Sequence, residues 1–203
     1  MSQTLTSDQK DALQEVTNIA MGQAASTLAT ILSTFVTISV PRINIPEVSE
    51  IGSAISKMVG NGKEVTAVRQ SFAGHLRGEA IIIYGQEGCR DLADLMGYDE
   101  DIDQSAEREL LLDIANVLIG ACLNGIADIL QTGLTFAPPS IMAERVIINS
   151  LIDPTQLTWN NALLVEVNFT LEARNFSCHL VTLMPEDSIE RLKQAIDTFM
   201  ENF

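Results

Sequence analysis

An internal repeat constrains this chain more than any other feature of its sequence. Residues 11–22 read DALQEVTNIAMG, and residues 109–120 read ELLLDIANVLIG. Both segments follow the pattern acid-x3-acid-x2-Asn-x3-Gly, and every matching position is displaced by 98 residues. The shared residues are Asp11, Glu15, Asn18 and Gly22 in the first copy and Glu109, Asp113, Asn116 and Gly120 in the second. Such self-similarity predicts two copies of one structural unit, as gene duplication produces.

The segments that follow each motif also correspond. A β-rich stretch ending in proline comes next, then two runs rich in β-branched residues, then a closing helix. These are residues 35–41, 64–73, 76–84 and 87–96 in the first half, and 134–138, 162–171, 176–184 and 186–200 in the second. We therefore predict an α/β (α+β) fold with pseudo-two-fold symmetry, in which each half packs a motif-bearing helix against antiparallel strands. Residues 1–203 are predicted to be a single domain with halves 1–98 and 99–203, because each copy needs the other to cover its sheet.

A helical wheel places the motif residues away from the core. The predicted buried stripes are Leu13, Val16, Ala20, Ala24, Thr27, Leu28 and Ile31 in the first helix, and Leu111, Ile114, Leu118, Cys122, Gly125, Ile126 and Ile129 in the second. Asn and Gly both lower helix propensity, Gly by about 1 kcal/mol relative to Ala. Their use twice, at equal spacing on an exposed face, indicates function rather than an ordinary solvated surface. Gly22 and Gly120 would let a partner's backbone approach closely.

A carboxylate and a carboxamide three residues apart suit the hydrolysis of an acyl phosphate. That reaction needs an in-line water and charge compensation, with little covalent work by the protein. A carboxamide both donates and accepts hydrogen bonds, so Asn18 and Asn116 are candidates to hold the water. The carboxylates of Glu15 and Asp113 are candidates to pair with a lysine of a partner. We expect no metal ligand and no cofactor in this chain if the substrate protein holds Mg²⁺ beside its phospho-aspartate.

Composition narrows the partners and the compartment. The 203 residues are 46% hydrophobic, enough for a substantial core. The formal net charge of −15 repels phosphate backbones and anionic lipid, so we expect neither nucleic acid nor a membrane as partner. Without an apolar run of 18 residues or a basic-then-apolar start, we expect no transmembrane helix and no signal peptide. The three separated cysteines, Cys89, Cys122 and Cys178, indicate reduced core thiols in a cytoplasmic protein.

At its motif residues the chain resembles the CheC/CheX/FliY family of bacterial chemotaxis phosphatases, whose signature is [Asp/Ser]-x3-Glu-x2-Asn. The resemblance implies a cytoplasmic hydrolase of two-component signalling that dephosphorylates the phospho-aspartate of a CheY-type response regulator. In that role Asn would position the attacking water, and Glu would pair with a lysine of the regulator, which also holds Mg²⁺. The family further implies the receptor deamidase CheD as a partner. Two motifs in one chain are most similar to CheC, because CheX-type proteins carry one site and FliY-type proteins an additional domain.

The second motif departs from the family signature. Asp113 stands where the family has Glu, and Glu109 replaces the usual Asp or Ser. The side chain of Asp is one methylene shorter, so a salt bridge that must span an interface is strained or lost. We therefore predict that Glu15 and Asn18 form the stronger site and that Asn116 supports a weaker one.

Two other functions stay open at the level of the sequence. The protein could be a non-catalytic adaptor that binds a response regulator or CheD through the same helices. It could also be a small-molecule hydrolase with Glu15 as general base, which would require a deep pocket beside Glu15. A shallow, protein-sized surface is what the exposed motif predicts instead.

Overall fold

The computed structural model describes residues 5–85, 92–95, 103–153, 162–171 and 176–201. Its elements in chain order are α1 (Ser7–Leu32), β1 (Val36–Ile38), β2 (Arg42–Asn44), α2 (Val48–Val59), β3 (Glu64–Gly74), β4 (Gly78–Gly85), α3 (Gln104–Ile129), β5 (Leu134–Phe136), β6 (Ser140–Ile147), a 3₁₀ turn (Ile148–Ser150), β7 (Ala162–Leu171), β8 (Ser177–Pro185) and α4 (Glu186–Glu201). The motifs lie on α1 and α3, the two longest helices described.

Local capping fixes where the two motif helices begin. Thr6 and Gln9 form a capping box, in which each side chain accepts a hydrogen bond of 3.1 Å from the other's backbone N–H. Asp103 caps α3 by accepting from the N–H of Ala106 at 2.8 Å. Helix α1 ends where Ser33 adopts a left-handed conformation with φ 49°. Both helices therefore start about one turn before their first motif residue.

The strands form one antiparallel sheet with internal symmetry. The strand order is β1-β7-β8-β4-β3-β5, with β2 also paired to β7 and β6 also paired to β3. Counted outward from the centre, β8 and β4, β7 and β3, and β1 and β5 are equivalent pairs. This order confirms the predicted mixed fold with antiparallel strands and a pseudo-two-fold relation. It also interlocks the halves, because β1 and β2 pair with a strand of the second half, and β5 and β6 pair with a strand of the first.

Helices cover both faces of the sheet. Helices α1, α3 and α4 bury the larger core on one face, where Leu13 and Ile114 join Val167 and Phe169. On the other face α2 and the segment after β6 cover a smaller core. Helices α1 and α3 touch closely, since a Cβ built on Gly125 would lie 2.9 Å from the Cβ of Ala20. The motif helices are thus fixed both to the sheet and to each other.

Most predicted segments correspond to observed elements. Strands β3, β4, β7 and β8 fall on the predicted β-branched runs, β1 and β5 on the proline-terminated stretches, and α4 on the second closing helix. The first closing helix, predicted at 87–96, lies outside the described residues except for 92–95, which are helical. Strands β2 and β6 were not predicted. Strand β2 has only three residues, too few to show a period, and β6 has three apolar residues in a row followed by two charged ones, so it does not alternate.

The predicted buried stripe of α1 is wrong at its C-terminal end. Thr27 is exposed and Ile31 is 40% exposed, whereas Ala25 and Leu32 are buried. The buried positions 13, 17, 21 and 25 recur every four residues, and each such step turns about 40° around a helix of 3.6 residues per turn. The buried face therefore drifts along α1, and a fixed wheel misplaces the last two turns. In α3 the predicted stripe is buried, except that Ile129 is half-buried.

One helix is apolar enough to cross a membrane by length and composition. This helix is α3, Gln104–Ile129, which contains an apolar window of 18 residues. Length and composition alone do not contradict the expectation that the chain has no transmembrane helix. In the structure 61% of that window is buried, with Leu118 and Cys122 fully inside the core. Helix α3 is apolar because it packs against both the sheet and α1.

Candidate functional site

The first half-site is the group Asp11, Glu15, Asn18 and Gly22 on α1. All four residues are exposed. Among the residues that the structure describes, Glu15 and Asn18 have no side-chain hydrogen bond or ion pair. Residues i and i+3 lie on the same helix face, so the carboxylate and the carboxamide point into solvent side by side. Their opposite face is anchored by Leu13 and Val16, which are at most 2% exposed.

Gly22 and its counterpart Gly120 serve no internal packing. A Cβ built on either residue would meet no atom within 4 Å. Gly125, by contrast, is needed where α3 crosses α1. A helical glycine in open space lowers stability without any gain inside the fold. What Gly22 and Gly120 provide is room at the surface.

The second half-site, Glu109, Asp113, Asn116 and Gly120 on α3, differs in its surroundings. Glu109, Asp113 and Asn116 are exposed and Gly120 is half-buried. The carboxamide of Asn116 is held from below, because Gln70 Nε2 of β3 donates to Asn116 Oδ1 at 2.9 Å. The same nitrogen donates to the carbonyl of Ala137 at 2.9 Å. Asn18 has no such partner among the described residues, so the two half-sites are chemically unequal.

Strand β6 borders the start of α3 through ion pairs. Arg108 binds Glu144 through two hydrogen bonds, with Nε to Oε1 at 2.6 Å, and Arg145 approaches Glu107 at 3.5 Å. The Arg108 hydrogen bond lowers the pKa of the Glu144 carboxyl. Both arginines next to the second motif therefore already have acidic partners within the chain.

Both half-sites lie in the helical layer on the same face of the sheet, but they are far from coinciding within that layer. A two-fold axis that exchanges the antiparallel neighbours β4 and β8 stands perpendicular to the sheet. It therefore relates α1 to α3 in opposite directions within the helical layer. Because both motifs lie in the N-terminal halves of their helices, the half-sites face solvent on opposite sides of the helix crossing.

The described cysteines and possible metal ligands do not form a second site. Cys122 and Cys178 are buried, and burial raises the pKa of both thiols, so neither is an activated nucleophile. Cys89 lies outside the described residues. Among the described residues no group of three or more His, Cys, Asp or Glu side chains could hold a metal ion.

A groove in the structure lies away from the first motif. It runs between the start of α1 and α4 and is lined by Leu5, Thr6, Gln9, Glu190, Lys193, Gln194 and Asp197. Glu15 does not line it. The deep pocket that a small-molecule hydrolase would need beside Glu15 therefore does not correspond to this groove.

The chain is similar in sequence to proteins of one known family. The model of the CheC-like family matches residues 9–45, which include the whole first motif. The "CheY-P phosphatase CheC" of Bacillus subtilis (strain 168) is 24% identical over 200 residues, which cover 93% of this chain and 94% of that protein. The chain is therefore similar to CheC-like proteins, in its first motif helix by the family model and along most of its length by the relative.

Solved structures show the same fold across a wider group. Thermotoga maritima FliY superposes with a TM-score of 0.74 at 21% identity, over 97% of this chain and 99% of that one. The FliM middle domain from H. pylori superposes with a TM-score of 0.64 at 12% identity, over 94% and 99% of the two chains. A fold shared this widely does not by itself identify the activity of this chain.

Sequence reasoning missed Gln70. It shares one face of β3 with the buried Val68 and Phe72, and its exposed fraction is only 2%. A glutamine on the apolar face of a predicted strand is a signal that the sequence does contain, because a buried polar side chain needs a hydrogen-bond partner. Its partner on α3 is 46 residues away, however, and only the folded sheet brings them together.

Proposed function

We propose that this chain accelerates hydrolysis of the aspartyl phosphate on a CheY-type response regulator in chemotaxis or a related two-component pathway. The observation that carries the proposal is the pair Glu15 and Asn18, both exposed and unpartnered among the described residues, on a helix fixed to the core. The family relative named as a CheY-P phosphatase supports it. The proposed substrate is a protein, because the pair lies on a convex helix surface.

Asn18 is the proposed water-positioning residue. Its carboxamide oxygen accepts a hydrogen bond from water while its N–H groups donate to a phosphoryl oxygen. The water oxygen then attacks phosphorus in line, the bond from phosphorus to the aspartyl oxygen breaks, and aspartate and inorganic phosphate result. Little more is required, since an acyl phosphate already has a good leaving group and charge compensation does the rest.

Glu15 is the proposed docking residue, and its carboxylate pairs with a lysine of the regulator. Mg²⁺ belongs to the regulator in this proposal, and this chain contributes no cofactor. The exposed Ile19, 44% accessible and next to Asn18, adds an apolar contact at the same surface. Gly22 keeps the neighbouring turn open, so the regulator's backbone can reach the helix.

A non-catalytic adaptor is the second candidate, and the second half-site favours it. Asp113 is shorter than the family's Glu, and the Asn116 carboxamide is already engaged. A surface that binds a phosphorylated regulator or CheD without turnover would look like this. Both functions place the protein in the cytoplasm with its signalling partners.

The test is the decay of phosphorylated regulators with and without this protein. Each response regulator of the source organism is phosphorylated chemically, and release of inorganic phosphate is followed at catalytic amounts of this protein. The proposal predicts faster decay for at least one CheY-type regulator. Binding of regulators or CheD without any acceleration would instead establish the adaptor.

A further inference from the structure

Gln70 is the feature that neither the motif nor the family signature includes. It lies on β3 beneath α3, its side chain is almost fully buried, and it belongs to the half opposite to the motif it contacts. Its Nε2 makes two hydrogen bonds, to Asn116 Oδ1 and to the carbonyl of Ala137, both at 2.9 Å. Its own oxygen, Oε1, is buried and has no partner among the described residues.

These contacts determine the orientation of both amides. The Ala137 carbonyl can only accept, so the group of Gln70 that faces it must be the NH₂. The atom of Asn116 that meets this same NH₂ must then be its oxygen. Because Gln70 is buried, Asn116 directs its oxygen towards the protein and its NH₂ towards solvent.

The first half-site has no counterpart of Gln70. In the sheet Phe136 pairs with Phe72, and Ile38, 98 residues earlier, pairs with Phe169. Phe72 and Phe169 are therefore equivalent, and so are Gln70 and Val167, each two residues earlier. Val167 is fully buried and apolar. The residue equivalent to Gln70 is thus a valine that offers no hydrogen bond, and Asn18, without a partner among the described residues, can turn either end of its amide outward.

Gln70 lowers the stability of the fold at this buried position. A valine packs there in the other half without a polar atom, whereas Gln70 leaves a buried oxygen unsatisfied, which lowers stability. The hydrogen bond to Asn116 is what the glutamine adds in return. This is the signature of a residue kept for positioning rather than for the fold.

We infer that Gln70 is a positioning residue that makes the second half-site a donor-only site, one that binds the phosphoryl group of a regulator without orienting water for attack. The inference rests on the proposed phosphatase function. With its oxygen turned inward and accepting from Gln70, Asn116 presents its NH₂ to solvent, so it can donate to a phosphoryl oxygen while its oxygen is not aimed at an attacking water. The protein then has one hydrolytic half-site and one binding half-site, and Gln70 is the buried residue that distinguishes the carboxamide of the second from that of the first.

The kinetic test isolates the second half-site. In a chain carrying Asn18→Ala and Asp113→Glu, the first half-site is disabled and the second has a full-length carboxylate. Adding Gln70→Met removes the donor at similar volume and frees the amide of Asn116. We expect kcat for regulator dephosphorylation to rise by roughly tenfold, while KM stays within about twofold. Gln70→Val, which introduces the residue found at the equivalent position Val167, should act in the same direction, and Val167→Met is the matched control with unchanged kcat.

A spectroscopic measurement reads the hydrogen bond without any activity. In NMR relaxation of side-chain amides, Asn116 should be rigid and Asn18 mobile, and Gln70→Met should make Asn116 as mobile as Asn18. A mobile Asn116 in the unmodified chain, or a kcat that stays level or falls in the Gln70→Met background, would overturn the inference. If the unmodified protein accelerates no regulator, the proposed function fails, and the amide relaxation still decides whether Gln70 holds Asn116.

Discussion

At the scale of single residues, Glu15 and Asn18 differ from ordinary surface residues in what surrounds them. The core residues on the opposite side of α1 fix the direction in which both side chains point. Neither side chain is tied to another group among the described residues, so both are available to a partner. The turn that follows them is cleared by Gly22. Each residue therefore has a separable role, and each role can be tested by its own substitution.

Gly22→Ala should improve the fold and impair the function. The new methyl meets no atom of this chain, so helix propensity alone should raise the free energy of unfolding by up to about 1 kcal/mol. The same methyl keeps a regulator away from the helix, and kcat/KM should fall by about tenfold. Gly120→Ala is the matched control, with a similar gain in stability and little loss of activity. Unchanged activity in Gly22→Ala would show that no partner approaches at this turn.

Glu15→Gln should act on binding rather than on chemistry. Without the carboxylate, the ion pair with the regulator's lysine is lost, so KM should rise by roughly tenfold at low salt with kcat nearly unchanged. The difference from the unmodified protein should shrink as salt screens the pair. Glu15→Asp, which copies the length of Asp113, should give an intermediate KM. A lower kcat at unchanged KM would instead place Glu15 in the chemical step.

At the scale of elements, the two motif helices depend on their crossing. Gly125 lets α3 approach α1 so closely that a Cβ would lie 2.9 Å from the Cβ of Ala20 and 3.2 Å from its Cα. The second contact is to backbone, which cannot turn away as a flexible side chain can. The helix pair, and with it the direction of both motifs, therefore requires a glycine here.

Gly125→Val should weaken the fold by overpacking this crossing. We expect the free energy of unfolding in a denaturant titration to fall by about 1–3 kcal/mol. Gly120→Val, five residues earlier and in open space, should change it by no more than about 0.5 kcal/mol. Equal effects of the two substitutions would mean that the helices do not touch at Ala20.

The elements also show how far the sequence alone could lead. The hydrophobic periodicity and the turn residues can be read from short segments, and the repeat from comparing two such segments. These features predicted the motif helices, the four long strands and the exposure of Glu15 and Asn18. Strand β6 and the contact between Gln70 and Asn116 depend on which strand pairs with which. The repeat predicted a single domain in which each copy covers the sheet of the other, but nothing local indicated that β1 and β5 pair across the halves. The inequality of the two carboxamides could therefore not be predicted from the motifs.

At the scale of the whole molecule, the interlocked sheet joins both half-sites to one core. Each half supplies edge strands to the other, and α3 of the second half lies above β3 of the first. Tyr84 of β4 reinforces this by donating to the carbonyl of Leu111 at 3.0 Å. Neither half has a complete sheet of its own.

The protein should therefore unfold in one step. Calorimetric and van't Hoff enthalpies should agree, and backbone and aromatic circular dichroism should change at the same temperature. Residues 1–98 and 99–203, produced separately, should lack the cooperative transition of the full chain. Two resolved transitions, or an independently folded half, would contradict the interlocked sheet.

The central claim is that hydrolysis occurs at the first half-site, and a comparison of two single substitutions tests it most directly. Asn18→Ala and Asn116→Ala are each assayed for decay of the same phosphorylated regulator, after circular dichroism has shown both to be folded. We predict that Asn18→Ala lowers the acceleration by roughly 10²-fold and that Asn116→Ala retains it within about threefold. Full acceleration by Asn18→Ala, or an equal loss in both variants, would contradict the account.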